Sequence, residues 1–323
     1  MTKTWQPSAT REVLETRAKI LVQIRDFFCS KKILEVETPV LSHSTVTDVH
    51  LSTFKTNFKG PDPAIEKTIY LVTSPESHMK RLLASGSGSI YQICKSFRNG
   101  EYGRYHNPEF TMLEWYRVGF DHHNLMDEVQ ELLTIIFDIE AVIRVTYQQA
   151  FHSCVGICPL DASLADLKDV CEKLGFGGVA RNEHDRDTLL QLLFSMKVEK
   201  EINPKNPVFV YNFPASQAAL AKISRDDPRV SERFELYFRG IELANGFHEL
   251  NDASEQKARF QSDNQKRLEL GLKKQPLDEE LLNALAGNFP ACAGVALGLD
   301  RLIMLASTQE KIKNVITFDF SRA

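Results

Sequence analysis

The chain has no long apolar run. Its opening stretch, MTKTWQPSATREVLETRAKI, holds no hydrophobic segment of the secretory kind, and its most apolar late run, AGVALGLDRLIMLA, is interrupted by Asp300 and Arg301. Neither a signal peptide nor a membrane-spanning helix is expected. Cysteine is sparse: six residues (Cys29, Cys94, Cys154, Cys158, Cys171 and Cys292) are scattered over 323 positions. Without a secretory signal this excludes a disulfide framework and points to a reducing cytoplasm. His152, Cys154 and Cys158 lie close together, but no fourth ligand stands at a workable spacing, so a zinc site is not expected there. Charge of one sign is lacking too. A net charge of -4 excludes the broad basic field of nonspecific nucleic-acid binding and leaves room only for a local patch. Internal repeats, low-complexity segments and Gly/Ser linkers are absent. The chain is 43% hydrophobic and 25% charged, which excludes disorder and coiled coil.

What remains reads as an ordinary globular chain with interrupted strands. Residues 8 to 32 have helical periodicity (Leu14, Ala18, Leu21, Ile24, Phe28) behind a cap at Ser8 or Thr10. ILEVETPVL (33 to 41) suits a strand ended by proline. TSPESHMKRLLASG (73 to 86) suits a turn and a short helix stopping at Gly86. Strand candidates follow at 89 to 97 and 110 to 116, a helix at 121 to 139, further helices within 163 to 203, strands at 208 to 214 and 233 to 250, an amphipathic helix at 254 to 271, and a strand turning into a helix near Gly298. Helices of such unequal length do not form a regular βαβ series. The expected class is α+β, an antiparallel sheet flanked by helices. The expected organisation is a single domain over 1–323 with a helical insertion at about 150–205.

Charge concentrates in SFRNGEYGRYHNPEFTMLEWY, residues 96 to 116. Its strand candidates are joined by about a dozen residues, where a plain hairpin loop has about 2 to 5. A long charged loop on a rigid hairpin suits ligand binding. FTMLEWY alternates, placing Phe110, Met112, Glu114 and Tyr116 on one face. In IELANGFHEL, Glu242 and Glu249 are seven apart and would face opposite sides of a straight strand. A turn or bulge at Asn245-Gly246 would let them converge, as a hard divalent cation requires. Arginines Arg98 and Arg301 could each be surface ion-pair residues or phosphate ligands.

These segments, in this order, resemble class II lysyl-tRNA synthetases: ILEVETPVL is similar to motif 1, FRN with HNPEFTMLEWY to motif 2, IELANGFHEL to the acidic pair and GVALGLDRL to motif 3. The resemblance runs from about residue 11 to the C-terminus. No room is left for the anticodon-binding domain of those synthetases, so a free-standing catalytic core is expected. Ala296 stands where motif 3 usually has glycine, and Ser74 where the synthetases often have alanine. With these departures the chain resembles the synthetase paralogues that attach (R)-β-lysine to a lysine of elongation factor P.

The resemblance implies ATP as substrate, Mg2+, a homodimer through motif 1, and elongation factor P as protein acceptor; tRNA is not expected to be the acceptor. It assigns catalysis to Arg98, His106 and Arg301, and ATP binding to Arg98, Asn99, Gly100, Glu101, Asn107, Phe110, Glu242, Leu243, Gly298 and Arg301. The amino acid would meet Ser74, Pro75, Glu76, Glu114, Tyr116, Glu249 and Ala296, and the metal Glu242 and Glu249. Gly100 stands where the family has the glutamate that reads adenine, and Glu101 is expected to replace it through a small loop shift. Alternatives are a lysine-activating ligase serving tRNA or a small molecule, and a noncatalytic amino-acid-binding regulator. The basic residues Lys257, Arg259, Lys266, Arg267, Lys273 and Lys274 read as a solvated helix face or as a dock for an acidic partner.

Overall fold

Thr10 opens helix α1 (Arg11–Ser30) by accepting from the Val13 amide, while Ser8 donates instead to Asp319 at 2.7 Å. Strands β1 (Leu34–Glu35), β2 (Leu41–Ser42), β3 (Lys55–Lys59) and β4 (Glu66–Leu71) follow, then α2 (Glu76–Ala84), β5 (Ile90–Phe97) and β6 (Glu109–Val118). Next come α3 (His122–Ile136), β7 (Ile143–Thr146), α4 (Tyr147–Val155), α5 (Leu164–Lys173), α6 (Gly177–Ala180), α7 (Arg186–Leu193) and α8 (Glu199–Glu201). The chain ends with β8 (Val208–Pro214), β9 (Val230–Phe238), β10 (Ile241–His248), α9 (Ala253–Glu269), α10 (Glu279–Ala286), β11 (Cys292–Gly298) and α11 (Leu299–Ala306). This computed structural model describes residues 5–62, 66–139, 141–203 and 205–323. It divides into two units: Met1–Gly119 with Leu250–Cys292 and Ala296–Ala323, and Phe120–Glu249 with Ala293–Val295. Both mix helices with largely antiparallel strands, an α+β architecture. No helix among the described residues is long and apolar enough to cross a membrane.

In the first unit β5 and β6 pair antiparallel from Ile90↔Tyr116 to Phe97↔Glu109, with β1 parallel to β5. One face of this hairpin is covered by α1: Phe28 stacks on Tyr91 at 4.2 Å and meets Trp115 edge-on at 5.4 Å. At the far end of the other face, Ile90 and Tyr116 pack with Met79 and Leu83 of α2 and Leu281 and Leu285 of α10. The strand expected over 33 to 41 is two short pieces. Beyond Glu35 the Val36 amide continues the ladder, to Tyr91 O at 2.9 Å, and the strand ends ahead of Pro39, a residue that suits a strand end. The second piece, β2, joins a separate antiparallel sheet ordered β2-β4-β3.

In the second unit β8, β9 and β10 pair antiparallel and β7 runs parallel to β8. The β9–β10 turn falls at Arg239 (φ 53°) and Gly240 (φ 70°), the doubly left-handed geometry of tight hairpins. One face of these strands, with Val208, Val210, Phe213 and Tyr237, is buried against Tyr147, Phe151, Leu189 and Leu193. Over the stretch expected to carry an insertion, helices run from Tyr147 to Glu201; residue 204 lies outside the described residues. On the other face Phe234 sits so close to Gly246 that a Cβ there would come within 2.3 Å of its ring. Glycine is required by this approach.

Candidate active site

The β5–β6 hairpin holds the charged loop by its base: Arg98 N donates to Pro108 O at 2.9 Å and Asn99 N to Ser52 O at 2.8 Å. Gly100 turns the chain at φ 86°, a left-handed conformation that a side chain would strain. The Arg98 guanidinium lies over the Phe110 ring, 5.2 Å from its centroid. Glu101 stands between Arg98 and His106, 3.9 Å from Arg98 and 3.9 Å from His106 Nε2. Arg301 Nη2 is 2.7 Å from His106 Nε2. Arginine cannot accept, so that nitrogen carries the lone pair and Nδ1 the proton of a neutral ring. Arg301 also donates to Tyr105 O at 3.3 Å. Arg98, Glu101, His106, Phe110 and Arg301 therefore gather on one loop and its neighbour. Asn107 is spent on architecture: it donates to Glu109 O at 2.6 Å and accepts from Phe320 N at 3.1 Å. Asn99 is exposed.

Farther along the same face of β6, Tyr116 donates to Glu114 at 2.7 Å, and both are only 2% exposed. Burial, and then the charge of Glu114, push the Cys94 thiol up to about 12. Ser74 is half-buried, Pro75 buried, and Glu76 opens α2. The Glu76 carboxylate already holds Lys80 at 2.6 Å, a lysine with 2% of its side chain exposed.

On β11, half-buried Ala296 and Gly298 alternate with buried Val295 and Leu297. A Cβ at Gly298 would come nearest to the Arg301 stem, at an ordinary 3.5 Å, so this glycine is not required by a close approach within the fold. Asp300 fixes the adjoining turn. It accepts from Arg17 Nη1 at 2.6 Å and from the Thr111 amide at 2.7 Å, while Arg17 Nη2 donates to Thr111 Oγ1 at 2.8 Å. No local signal announces this clamp, whose two charges are 283 residues apart.

In the second unit the acidic pair changes parity by a different device from the one expected. Glu242 opposes Tyr237 and Ala244 opposes Leu236, so the extra residue is Leu243 and not Asn245 or Gly246. One inserted residue sends Glu242, Asn245 and Phe247 to the side of Tyr237, Glu235 and Arg233, and continued alternation adds Glu249. Leu243 itself is 2% exposed. Beside Glu242 runs a network that the sequence reading missed: Arg233 and Tyr237 both bond Glu235, and Arg233 also donates to Asn245 at 3.2 Å and Gln217 O at 2.7 Å. Burial pushes the Glu235 carboxyl up to about 7; Arg233 pulls it down, and the charge of Glu242 adds to the rise.

The basic helix α9 also departs from expectation. Arg267 is 6% exposed and donates to Lys273 O and Asp48 O, each at 2.9 Å. It ties down the chain after the helix and is not part of a solvent-facing basic surface.

A family model described as tRNA synthetases class II (D, K and N) matches residues 3–322, and the chain belongs to that family. Several relatives of known name span it end to end. It is 60% identical over 323 residues to the elongation factor P–(R)-β-lysine ligase of Vibrio atlanticus, covering 100% of both chains. It is 59% identical over 319 residues to the protein of that name from Vibrio cholerae, covering 99% of this chain and 98% of the other. The namesake from Salmonella paratyphi B is 55% identical over 322 residues, covering 100% and 99%.

Proposed function

We propose that this chain is an ATP-dependent ligase that activates (R)-β-lysine as its adenylate and transfers it to a lysine ε-amine of elongation factor P. The observation that carries the reading is the charge order along one face of β6. A guanidinium lies over Phe110 at one end, and a buried carboxylate bonded to Tyr116 lies four residues on. At about 3.3 Å per residue these ends are roughly 13 Å apart. That order suits a molecule whose carboxylate is activated beside an adenine and whose ammonium lies at the far end.

In the first step a substrate carboxylate oxygen attacks the α-phosphorus of ATP, and the bond to the bridging oxygen breaks, releasing pyrophosphate. Arg98 spans the carboxylate and the α-phosphate and steadies the charge that builds between them. His106 and Arg301 meet the outer phosphates; Arg301 gives up its bond to the imidazole or offers its remaining N–H groups. Phe110 stacks on adenine, Asn99, Gly100, Glu101, Asn107, Leu243 and Gly298 shape its surroundings, and Glu101 reads its amino group. Glu242 and Glu249 are oxygen donors on one strand face, a set that suits magnesium. When bound, that ion would neutralise phosphate charge. Glu76 takes the amine near the carboxylate with the oxygen not engaged by Lys80, while Glu114 and Tyr116 take the distant ammonium. Ser74, Pro75, Glu249 and Ala296 shape the rest of that pocket. In the second step the ε-amine attacks the carbonyl, AMP leaves, and an amide forms.

The motif 1 region supports a homodimer. Leu34, Val40 and Leu41 are 57%, 38% and 47% exposed, an apolar strip that a partner copy would cover. A cytoplasmic location goes with the acceptor. The test is ATP–pyrophosphate exchange with (R)-β-lysine, L-lysine and other diamino acids side by side, followed by transfer of labelled amino acid to elongation factor P. Preference for (R)-β-lysine with transfer supports the reading. Preference for L-lysine without transfer assigns the chain to a tRNA or small-molecule acceptor, and no exchange with any amino acid makes it a regulator.

A further inference from the structure

On the second unit, away from the face that carries Glu235 and Glu242, three side chains converge from three elements: His122 at the start of α3, Glu232 on β9 and His248 at the end of β10. One donor atom from each lies within 4.8 Å of the others. We propose that His122, Glu232 and His248 bind a divalent transition-metal ion of the zinc class, with an open coordination position facing the adjoining cavity.

His122 is the strongest argument. It is 6% exposed; neither ring nitrogen makes a hydrogen bond of good geometry among the described residues, and Asn212 is a polar neighbour that tends to raise its pKa. A buried imidazole left in that state is costly, and a cation would supply what it lacks. Burial and then the neighbouring His123 push its pKa from 6.5 to about 4, against the pull of Asp121. Its lone pair is therefore available at neutral pH, as metal ligation requires.

The other two donors are already oriented. Glu232 bonds His248 Nδ1, and the cross-strand pairing of β9 with β10 aims both at the same side. The cavity beside them, about 360 Å³, is lined also by Asp121, His123, Asp226 and Asp227, and by no lysine or arginine. One group opposes the cation: Lys222 Nζ lies 3.2 Å from His248 Nε2. This lysine is half-buried. A metal on Nδ1 leaves the ring proton on Nε2, so Lys222 must swing to solvent or lose a proton.

Imidazole nitrogens with one carboxylate select zinc, cobalt or nickel over magnesium. The site thus differs in chemistry from the oxygen pair Glu242 and Glu249, which suits magnesium.

The experiment is titration of the chelator-treated full chain with Co2+ in the presence of excess Mg2+, followed by visible absorption. One equivalent should raise the ligand-field bands of a low-coordinate nitrogen and oxygen site, and Zn2+ should abolish them. H122Q should weaken binding at least about tenfold with an unchanged far-UV circular dichroism spectrum, and K222M should tighten it. Should H122Q fail to fold, E232Q and H248Q carry the same expectation. Absence of the bands, their survival in the folded ligand variants, or a thiolate charge-transfer band that points to Cys154 or Cys158 would overturn the proposal.

Discussion

The loop of residues 98–108 and the paired strands β9 and β10 both concentrate charge, and they treat it in opposite ways. In the loop, Glu101 stays 3.9 Å from both Arg98 and His106, and Arg98, Glu101 and His106 keep 28%, 30% and 45% of their side-chain surface exposed. On the strands, Arg233 and Glu235 keep 16% and 10%, and Arg233 bonds Glu235, Asn245 and Gln217 at once. Charges awaiting a ligand are left loosely paired, because a tight internal partner would have to be displaced. Charges that hold the fold are saturated, because a buried ion without partners costs several kcal/mol.

The sharpest break of this comparison uses two arginines of the first unit. Arg98→Ala should lower pyrophosphate exchange by about a thousandfold, with the urea unfolding midpoint nearly unchanged, since its ion pair with Glu101 is long and partly exposed. Arg17→Met should do the reverse. It strips a 2.6 Å partner from Asp300, whose side chain is 4% exposed, and should cost about 3 kcal/mol of unfolding free energy. Exchange by the fraction that remains folded should stay within about tenfold of the parent. If both variants lost activity and stability together, the distinction between waiting and structural charge would fail.

The loop was legible from sequence and the clamp was not. A hairpin whose connection is too long and too charged announces itself within twenty residues, and period-two alternation through FTMLEWY gives the face of Glu114 directly. Helix α1, the β5–β6 pair and the Gly298 turn follow from equally local signals. Partners brought together by the fold leave no such trace. Arg17 and Asp300 are far apart in the chain, and His122, Glu232 and His248 come from three segments. The bulge escaped for a subtler reason. Asn-Gly advertises a turn, yet the Asn245-Gly246 step is ordinary strand and Gly246 serves the Phe234 ring, while Leu243 carries no turn signal at all.

Two histidines extend the comparison to pH. His106 is nearly half exposed and bonded by Arg301, whereas His122 is buried and held near 4. A histidine whose folded pKa lies below its unfolded value destabilises the fold only where the unfolded chain takes up the proton. The metal-free protein should therefore lose stability as pH falls below 6.5, and the loss should be complete near 4. About 2.5 units at 1.36 kcal/mol each gives roughly 3 kcal/mol over that window. Urea midpoints at a series of pH values should flatten there in His122→Gln and keep their slope in His106→Gln.

The smallest effect tests what Glu101 does between Arg98 and His106. If its carboxylate serves only to hold Arg98 and His106 apart, Glu101→Ala frees both for phosphate, and KM should fall equally for ATP and for inosine triphosphate, which lacks the amino group. If it reads adenine, KM for ATP should rise about tenfold while that for inosine triphosphate stays put, since only one hydrogen bond to a charged acceptor, worth about 1.5 kcal/mol, is removed. We expect the second outcome. Gly100 at φ 86° already supplies the backbone turn that a glutamate one place late requires, and the 3.9 Å separations are too long to be the contacts for which the carboxylate was placed. An unchanged ratio of the two KM values would leave adenine to be read by the backbone of the loop.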